Sequence, residues 1–580
     1  MSDDILHGIV SDWRKPTALA TRPGSLSEAL MMQRGIPADK SFLAPRIEDD
    51  PFYASFAAHA DWLVAQKPGT VFVNSDYDTD GATTAAILGK MLTTIGWRVR
   101  CFLPCRMAHQ YGVNMPVIEG NYGTSKFDLL ITSDCGATAM KPLAEFCEKN
   151  QVPTLVIDHH KRENVPAKFP PLMREINQQA CPELGLRENG YSAAVLSVLL
   201  AEHVAQRKPD LVPLMPELRI LGGVSAIADV ISMRGIASRF CAQTLLANGA
   251  GPESNLGVRA LIKSDKYYGG KLTSTDVGFS LVPVINAAGR LSSANKALAL
   301  FTAKDQQTAG RLIEELRELN VTRRAMQEKI QIEALERFDP AAGVLIAYDK
   351  HWHPGVVGPA AGSLSERLGI PVFIGGFNQD KNVFSFSARS TGAGDIDIHK
   401  LLKGAAEGLP LTFGGHAVAL GMRIDAGDVD SVVPKLIERM GSPVSRRDRA
   451  TRAFNIYLKA ATVCHHNWEQ VNRLEPFGTD SEVPVFCIPN VDVNLTPMSS
   501  SPGSAHGVAV SRDDSKERFK VVVFRNRDIA DRGHIRGSVI GQLMRDSFRG
   551  DAEIKMVISD IIPDAPETVQ SSTPVQPPAR

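Results

Sequence analysis

Three aspartates at alternate positions, Asp76, Asp78 and Asp80, are followed at once by Gly81 in the run DYDTDG. Carboxylates this close repel one another, and without a cation to share them the arrangement would be costly. The run follows an apolar, β-rich stretch, TVFVNS, that begins at Thr70. On an extended strand end alternate side chains face one side, and glycine permits a sharp exit into a following helix. Two more apolar runs end in the same way: LLITS leads into Asp134, and TLVI into Asp158, His159 and His160. A further run, GGVSAIADV, places Asp229 after an apolar stretch as well. Any one of these aspartates is readily a helix cap or a turn former. The whole set, at what read as exits of one sheet, points instead to a shared cation site. Oxygen-rich ligation with an imidazole and no thiolate suits Mg²⁺ or Mn²⁺ better than structural zinc. A carboxylate able to bridge two ions suggests a two-metal centre for phosphoester hydrolysis by in-line displacement.

A sheet must hold these residues in place. From Thr70 to Asp158 the strand-like runs TVFVNS, RVRCFLP, FDLLITSD and VPTLVID alternate with the helical ATTAAILGKMLTTIG and MKPLAEFCEKN. That alternation predicts βαβ units on a parallel sheet, with the ligand crevice at the carboxyl ends of the strands. Residues 1–68 read as a helical segment with amphipathic runs at Leu26 to Met32 and Phe56 to Val64. Residues 69–300 are the expected catalytic α/β domain. Residues 301–338, without proline and with one glycine, read as a long connecting helix, in one piece or two. Residues 339–450 read as a second α/β domain, and 451–562 as a small β-barrel of the OB-like kind. The tail 563–580, rich in Pro, Ser, Thr and Gln, is expected to be disordered.

At 580 residues the chain exceeds what one hydrophobic core usually organises. Its 64 Lys plus Arg balance 64 Asp plus Glu, which excludes a uniformly basic coat. A polyanion must meet a local basic surface, and Lys516, Arg518, Lys520, Arg525, Arg527, Arg532 and Arg536 are the expected electrostatic guide. Eight cysteines without a CxxC pair argue against a disulfide framework or a zinc ribbon. The start, MSDDILHGIVSDWRKP, has neither a basic head nor an apolar core, and no later stretch is expected to span a bilayer, so a cytoplasmic protein is expected, with no membrane partner.

The tripeptide Asp158-His159-His160 is the one for which the DHH phosphoesterase superfamily is named, and DYDTDG, SDCG and IADV resemble its other metal-binding segments. Within that superfamily the chain resembles the RecJ-like exonucleases from about residue 33 to 560, through PCRMAHQYG, VINAAGRL, ELNVTRR, HPGVVG, SARS, FGGHAVALG and LEPFG in that order. The resemblance implies a single-stranded-DNA-specific 5′→3′ exonuclease, dependent on Mn²⁺ or Mg²⁺, that releases 5′-mononucleotides in DNA repair and recombination. It implies Asp78, Asp80, Asp134, His159 and Asp229 as metal ligands, Asp134 bridging, with Asp76 as a direct ligand or next to one. His160 would contact the scissile phosphate, a role suited to a near-neutral imidazole. Arg106, Arg290, Ser387 and Arg389 would line a pocket for the terminal 5′ phosphate. Tyr111 would stack on a base, and His416 would reach across from the second domain. Single-stranded DNA is the expected partner, a helicase or a single-strand-binding protein a further one, and a monomer the expected state.

Three departures from the family pattern stand out. Asn74 occupies the place where many members carry a histidine, Cys105 replaces the asparagine of PNR, and INQQACP matches the VNPN segment only loosely. Two other readings are open at this point: a phosphodiesterase of short oligonucleotides or cyclic dinucleotides, and a non-catalytic replication scaffold of the same descent.

Overall fold

The computed structural model describes residues 24–36, 40–109, 111–265, 271–339, 342–390, 396–440, 454–499, 501, 503–524, 526–546 and 553–564. Residues 1–23 of the N-terminal segment and 565–580 of the tail lie outside the described residues. The chain divides into two compact units, one built on residues 40–440 with 474–483 and one on residues 24–36, 454–473 and 484–564.

The first sheet of the first unit contains β1 (Thr70–Asn74), β2 (Arg98–Phe102), β3 (Leu129–Ser133), β4 (Thr154–Ile157) and β5 (Met173–Ile176), all parallel, in the order β2-β1-β3-β4-β5. The central strands β1, β3 and β4 are buried almost end to end, which is why their sequences are continuous apolar runs. Asn74 aligns with Thr132 and Ser133 with Ile157, so the strands finish on one rim. Helix α1 (Thr79–Thr94) leaves the rim, and its small residues Ala82, Ala85 and Ala86, all fully buried, let it pack closely. Its neighbours are α3 (Ala193–Arg207) and α4 (Met215–Ala228), while α2 (Met140–Asn150) connects β3 to β4 and α5 (Ile236–Asn248) lies along α4.

Residues Pro209–Ala228 form a helix of 20 residues that is long and apolar enough to cross a membrane by length and composition. This corrects the expectation that no stretch reaches that length. The reason for its composition is core packing: Leu218, Ile220, Leu221 and Val224 are each at most 2% exposed, in one cluster with residues of α3 and α5.

Helix α6 (Val282–Leu291) follows a π-helical turn at Val277–Leu281. Helix α7 (Gln306–Glu336) is one continuous helix of 31 residues, started by Asp305, whose carboxylate accepts from the Thr308 N–H at 2.7 Å. The residues before it form a separate helix at Asn295–Phe301. Its Ala309, Leu312, Ile313 and Leu316 belong to the core of the first sheet, and its Ile330 and Ala334 to a core under the second.

The second sheet holds β6 (Leu345–Asp349), β7 (Val372–Asn378), β8 (Val383–Arg389), β9 (Leu411–Gly415) and β10 (Ala419–Asp425), in the order β6-β7-β8-β10-β9. The α/β domain expected here is a mixed sheet. Only β6 and β7 are parallel, joined through α8 (Val357–Leu368), because short turns at 379–382 and 416–418 make β7–β8 and β9–β10 antiparallel hairpins.

In the second unit β12 (Phe486–Pro497), β13 (Ala505–Ser511), β14 (Arg518–Val523), β16 (Glu553–Pro563) and β15 (His534–Asp546) pair in that order, and β15 pairs back onto β12. The result is a closed five-stranded barrel, with a short β11 (Ile456–Tyr457) alongside β12. Part of the expected basic guide is neutralised within this unit. Lys520 pairs with Glu553 at 2.6 Å, Arg536 lies 3.9 Å from both Asp492 and Asp564, and Arg525 falls outside the described residues. Residues 474–483, inside the range expected for the barrel, pack with the first unit.

Candidate metal centre and phosphate pocket

Ladder hydrogen bonds continue past the strand ends and fix the acidic backbone. The Asp134 N–H donates to Ile157 O at 2.9 Å and the Asp158 N–H to Ile176 O at 3.0 Å. Asp134 holds a left-handed backbone at φ 56°, rare for a residue with a side chain. Asp76 lies in the loop after β1, Asp78 is the N-cap of α1 and accepts from the Gly81 N–H at 3.1 Å, and Asp80 is in the helix's first turn. The triplet is therefore not on one face of an extended strand, as its spacing suggested: a loop, a cap and a helical turn set its directions. A Cβ on Gly81 would lie 2.3 Å from Asp76 O, so only glycine lets the helix start this close to the loop. Asp229 likewise stands at the C-cap of α4 and not at a strand exit, as its apolar context suggested.

Three groups of ligand atoms come together, each within 4.8 Å: Asp76, Asp78 and Asp134; Asp80, His159 and Asp229; and Asp134, Asp158, His159 and His160. The first two groups adjoin through Asp134, whose Oδ1 is 3.3 Å from His159 Nε2. His159 Nε2 is also 3.7 Å from Asp80 and 3.4 Å from Asp229. Asp229 is the open side of the cluster, with 30% side-chain exposure against 1% for Asp80 and 3% for Asp134.

The electrostatics demand a cation. Burial first, then Asp78, raises the Asp76 carboxyl well above the carboxylate range. Burial, then Asp80 and Asp78, does the same to Asp134 and to Asp229. Burial and the neighbouring His160 lower His159, leaving a neutral imidazole with lone pairs to give. Asp76 Oδ1 and His159 Nε2 are buried without a hydrogen-bond partner. Such atoms fit a divalent cation and little else.

His160 behaves differently from the near-neutral imidazole expected of it. Burial lowers it, but a 2.8 Å hydrogen bond to Asp158 Oδ1 outweighs that and holds it up to about 9. Asp158 is fixed in turn by the N–H groups of Ala137, His159 and His160 at 2.7, 2.8 and 3.1 Å. Burial raises the Asp158 carboxyl, while the His160 bond and charge bring it below its ordinary value. The Tyr111 hydroxyl lies 3.0 Å from His160 Nδ1, and its ring meets the imidazole edge-on at 5.4 Å.

The expected phosphate residues also converge. Arg106 lies over the Tyr77 ring at 4.0 Å and donates from Nε to Gly289 O at 3.3 Å. Arg290 donates to Gly355 O at 3.4 Å, and Arg389 to Ser387 Oγ at 3.0 Å. Burial, then Arg106 and Arg323, lowers Arg290 to about 10, and burial with Arg106 lowers Arg389. Arg106 is thus a cationic neighbour of both Arg290 and Arg389, a gathering of guanidinium groups of the kind that suits an anion. A Cβ on Gly289 would lie 2.1 Å from Tyr77 O, so this glycine lets α6 bring Arg290 up to the metal loop. His416 is exposed at the β9–β10 turn, where its N–H donates to Ala419 O at 2.7 Å, and no described contact joins it to the carboxylates.

Comparison with known proteins agrees with this geometry. Residues 70–221 match the DHH family N-terminal domain, 341–442 the DHHA1 domain and 455–560 the RecJ OB domain. The single-stranded-DNA-specific exonuclease RecJ of Thermus thermophilus is 32% identical over 418 residues, covering 72% of this chain and 58% of that protein. The Bacillus subtilis RecJ is 26% identical, over 80% of this chain and 58% of its own length. A crystal structure of the Thermus RecJ in complex with Mn²⁺ superposes with a TM-score of 0.75 at 25% identity, covering 93% of this chain and 76% of that one. A structure of an exonuclease RecJ bound to manganese is 30% identical, with a TM-score of 0.57, over 68% of this chain and 96% of its own. The chain belongs to the RecJ family of DHH proteins. It spans 58% of the length of these two curated relatives.

At the position where many DHH proteins carry histidine, Asn74 is fully buried and donates to Cys135 Sγ at 3.3 Å. Several supporting residues escaped the sequence reading. Asn177 and Gln178 donate to the His160 and His159 carbonyls, each at 3.0 Å, and so brace the two histidines. They follow β5, one more strand exit of the same sheet, and that position was the available signal. Asn286 accepts from the Thr79 N–H and Oγ1, both at 2.9 Å, and so ties α6 to the start of α1. Asp80 accepts from the N–H groups of Ala193 and Ala194 at the N-terminus of α3, at 2.8 and 2.9 Å, and from Ser225 Oγ on α4 at 2.6 Å. No sequence pattern announces these last contacts, which join segments more than a hundred residues apart.

Proposed function

We propose that the chain is a metal-dependent exonuclease that hydrolyses single-stranded DNA from a phosphorylated 5′ end and releases 5′-mononucleotides. The observation that carries the reading is the pairing of two carboxylate groups joined at Asp134 with an arginine pocket in the same unit. Asp76, Asp78 and Asp134 would hold one divalent ion, Mn²⁺ or Mg²⁺, and Asp80, His159 and Asp229 a second, with Asp134 between them. When bound, such a pair polarises the scissile phosphate and lowers the pKa of an attacking water.

The chain's own groups do the rest. Arg106, Arg290, Arg389 and Ser387 grip the terminal phosphate, which fixes the strand end and hence the direction of travel. His160, kept cationic by Asp158, faces the charge that develops on the phosphate oxygens and can return a proton to the leaving 3′ oxygen. Tyr111 sits against His160 and offers its exposed ring edge to the terminal nucleotide. A role in DNA repair and recombination in the cytoplasm, a helicase or single-strand-binding partner, and action as a monomer belong to the same reading.

Single-stranded DNA labelled at one end or the other, with Mn²⁺ or Mg²⁺, tests it. The expected result is early release of labelled mononucleotide from the 5′ end only, abolished by Asp134→Ala. Degradation from the 3′ end, or activity confined to dinucleotides, would overturn the substrate assignment.

A further inference from the structure

Arg323 lies on α7 and was not among the residues that the family pattern implies for the phosphate pocket. Its Nε and Nη2 donate to Asn320 Oδ1 at 3.1 and 2.9 Å, and its Nη1 to Gln327 Oε1 at 2.7 Å. Side chains on either side along the helix therefore hold the guanidinium in one orientation. Gln327 in turn donates to Pro359 O at 3.4 Å, in the first turn of α8. That turn adjoins the arginine pocket: a Cβ on Gly358 would lie 3.3 Å from Ser387 Oγ and 3.7 Å from Arg389 Nη2. On the other side, the charge of Arg323 is felt at Arg290, which is itself in the pocket. Arg323 is partly buried, and no carboxylate pairs with it among the described residues. Of the five N–H groups of a guanidinium, three are engaged by Asn320 and Gln327, and the others have no partner among the described residues. An oriented, partly desolvated cation beside other cations is costly until an anion arrives.

We infer that Arg323 is a further guanidinium of the terminal-phosphate pocket, and that it sets the preference for strands ending in a phosphate monoester. The inference rests on the proposed assignment of Arg106, Arg290, Ser387 and Arg389 to that phosphate. The chemical reason is charge. A terminal monoester carries about −1.5 to −2 near pH 7, whereas an internal diester carries a single charge and a terminal hydroxyl none. Each added guanidinium favours the monoester over both.

The test compares oligothymidylates bearing a 5′-phosphate or a 5′-hydroxyl, with a fluorophore at the 3′ end. Relative kcat/KM is read with Mn²⁺, and relative affinity by anisotropy with the full chain in EDTA. Arg323→Ala should reduce the phosphate-to-hydroxyl ratio about 10-fold, the scale of a lost charge-assisted hydrogen bond. Arg323→Lys should restore part of the ratio. Asn320→Ala, which keeps the charge but loosens it, should lower the ratio by a smaller factor, and it decides the matter if Arg323→Ala melts early. A parallel fall with both strands, or an unchanged ratio, would overturn the inference. If the unaltered protein shows no preference for phosphate in either assay, the pocket assignment falls and the inference with it. If it discriminates in binding without hydrolysing either strand, the nuclease reading falls and the role of Arg323 stands.

Discussion

Two parts of the metal cluster are held in different ways. Asp134 sits at a strand exit, locked by a ladder bond to Ile157 in a sheet whose register admits no slippage without exposing buried side chains. Asp229 stands at the end of α4, and the next residue, Val230, has φ 55° and is 66% exposed. A β-branched residue held there needs outside support. Residues 474–483 supply it: Thr479 Oγ1 donates to Val230 O at 2.7 Å, the Met233 N–H to Thr479 O at 2.9 Å, and Ser232 Oγ to Asp480 Oδ2 at 2.6 Å. Arg239, 2% exposed, anchors that segment by donating to the carbonyls of Leu474, Glu475 and Pro476. One aspartate is thus positioned by local sheet geometry and the other by a strap from more than two hundred residues away. The strapped aspartate is also the more exposed of the two, at 30% side-chain exposure against 3% for Asp134.

The largest effect expected from this contrast is chemical. Asp134→Asn should lower turnover on the order of 10³-fold, as loss of a central electrostatic element does, with the melting temperature held or raised, because a buried repulsive charge is removed. Next comes the anchor of the strap: Arg239→Met strands several buried carbonyls and should cost roughly 3 kcal/mol of stability or more, read from the urea midpoint. Asp480→Ala removes only the clasp on Ser232 and should weaken Mn²⁺ binding about 10- to 100-fold without unfolding, the usual scale for groups that orient a ligand. Equal affinity in the Asp480 variant would erase the distinction between the two regions. The smallest effect belongs to Val230→Gly, which relieves the left-handed backbone and should stabilise by up to about 1 kcal/mol while lowering activity a few-fold.

Glu475 adds a pH test of the strap. Burial raises its carboxyl above the ordinary 4.5, against the lowering effect of bonds from Ser274 and Phe477. The folded state then holds this proton more tightly than the unfolded state. Its contribution to stability should therefore be lost as pH rises from about 4.5 through the raised value, and Glu475→Gln should flatten that slope. A slope identical in the variant would show that the carboxyl is not strained by burial.

The contrast also explains what the sequence made legible. Asp134 and Asp158 follow short apolar runs, and a run of that kind reads directly as a strand with a functional exit. The barrel and the long helix were likewise visible, from turn spacing and from the absence of helix breakers. Asp229 looked the same on paper, yet its apolar run is a core helix, because a buried helix and a buried strand share a composition and differ in length. Asp80 was visible as an acid, but its support from α3 and α4 was not, and neither was the hold of LEPFGTD on the loop after Asp229. Hydrogen bonds between distant segments leave no period in a sequence.

The most direct test of the account is the number of Mn²⁺ ions bound per chain, measured by titration calorimetry with electron paramagnetic resonance of free Mn²⁺. Two ions are predicted for the unaltered protein, with coupled loss of both in Asp134→Ala, because that carboxylate belongs to one group and lies 3.3 Å from His159 of the other. One ion at saturation, or two ions retained after Asp134→Ala, would contradict it.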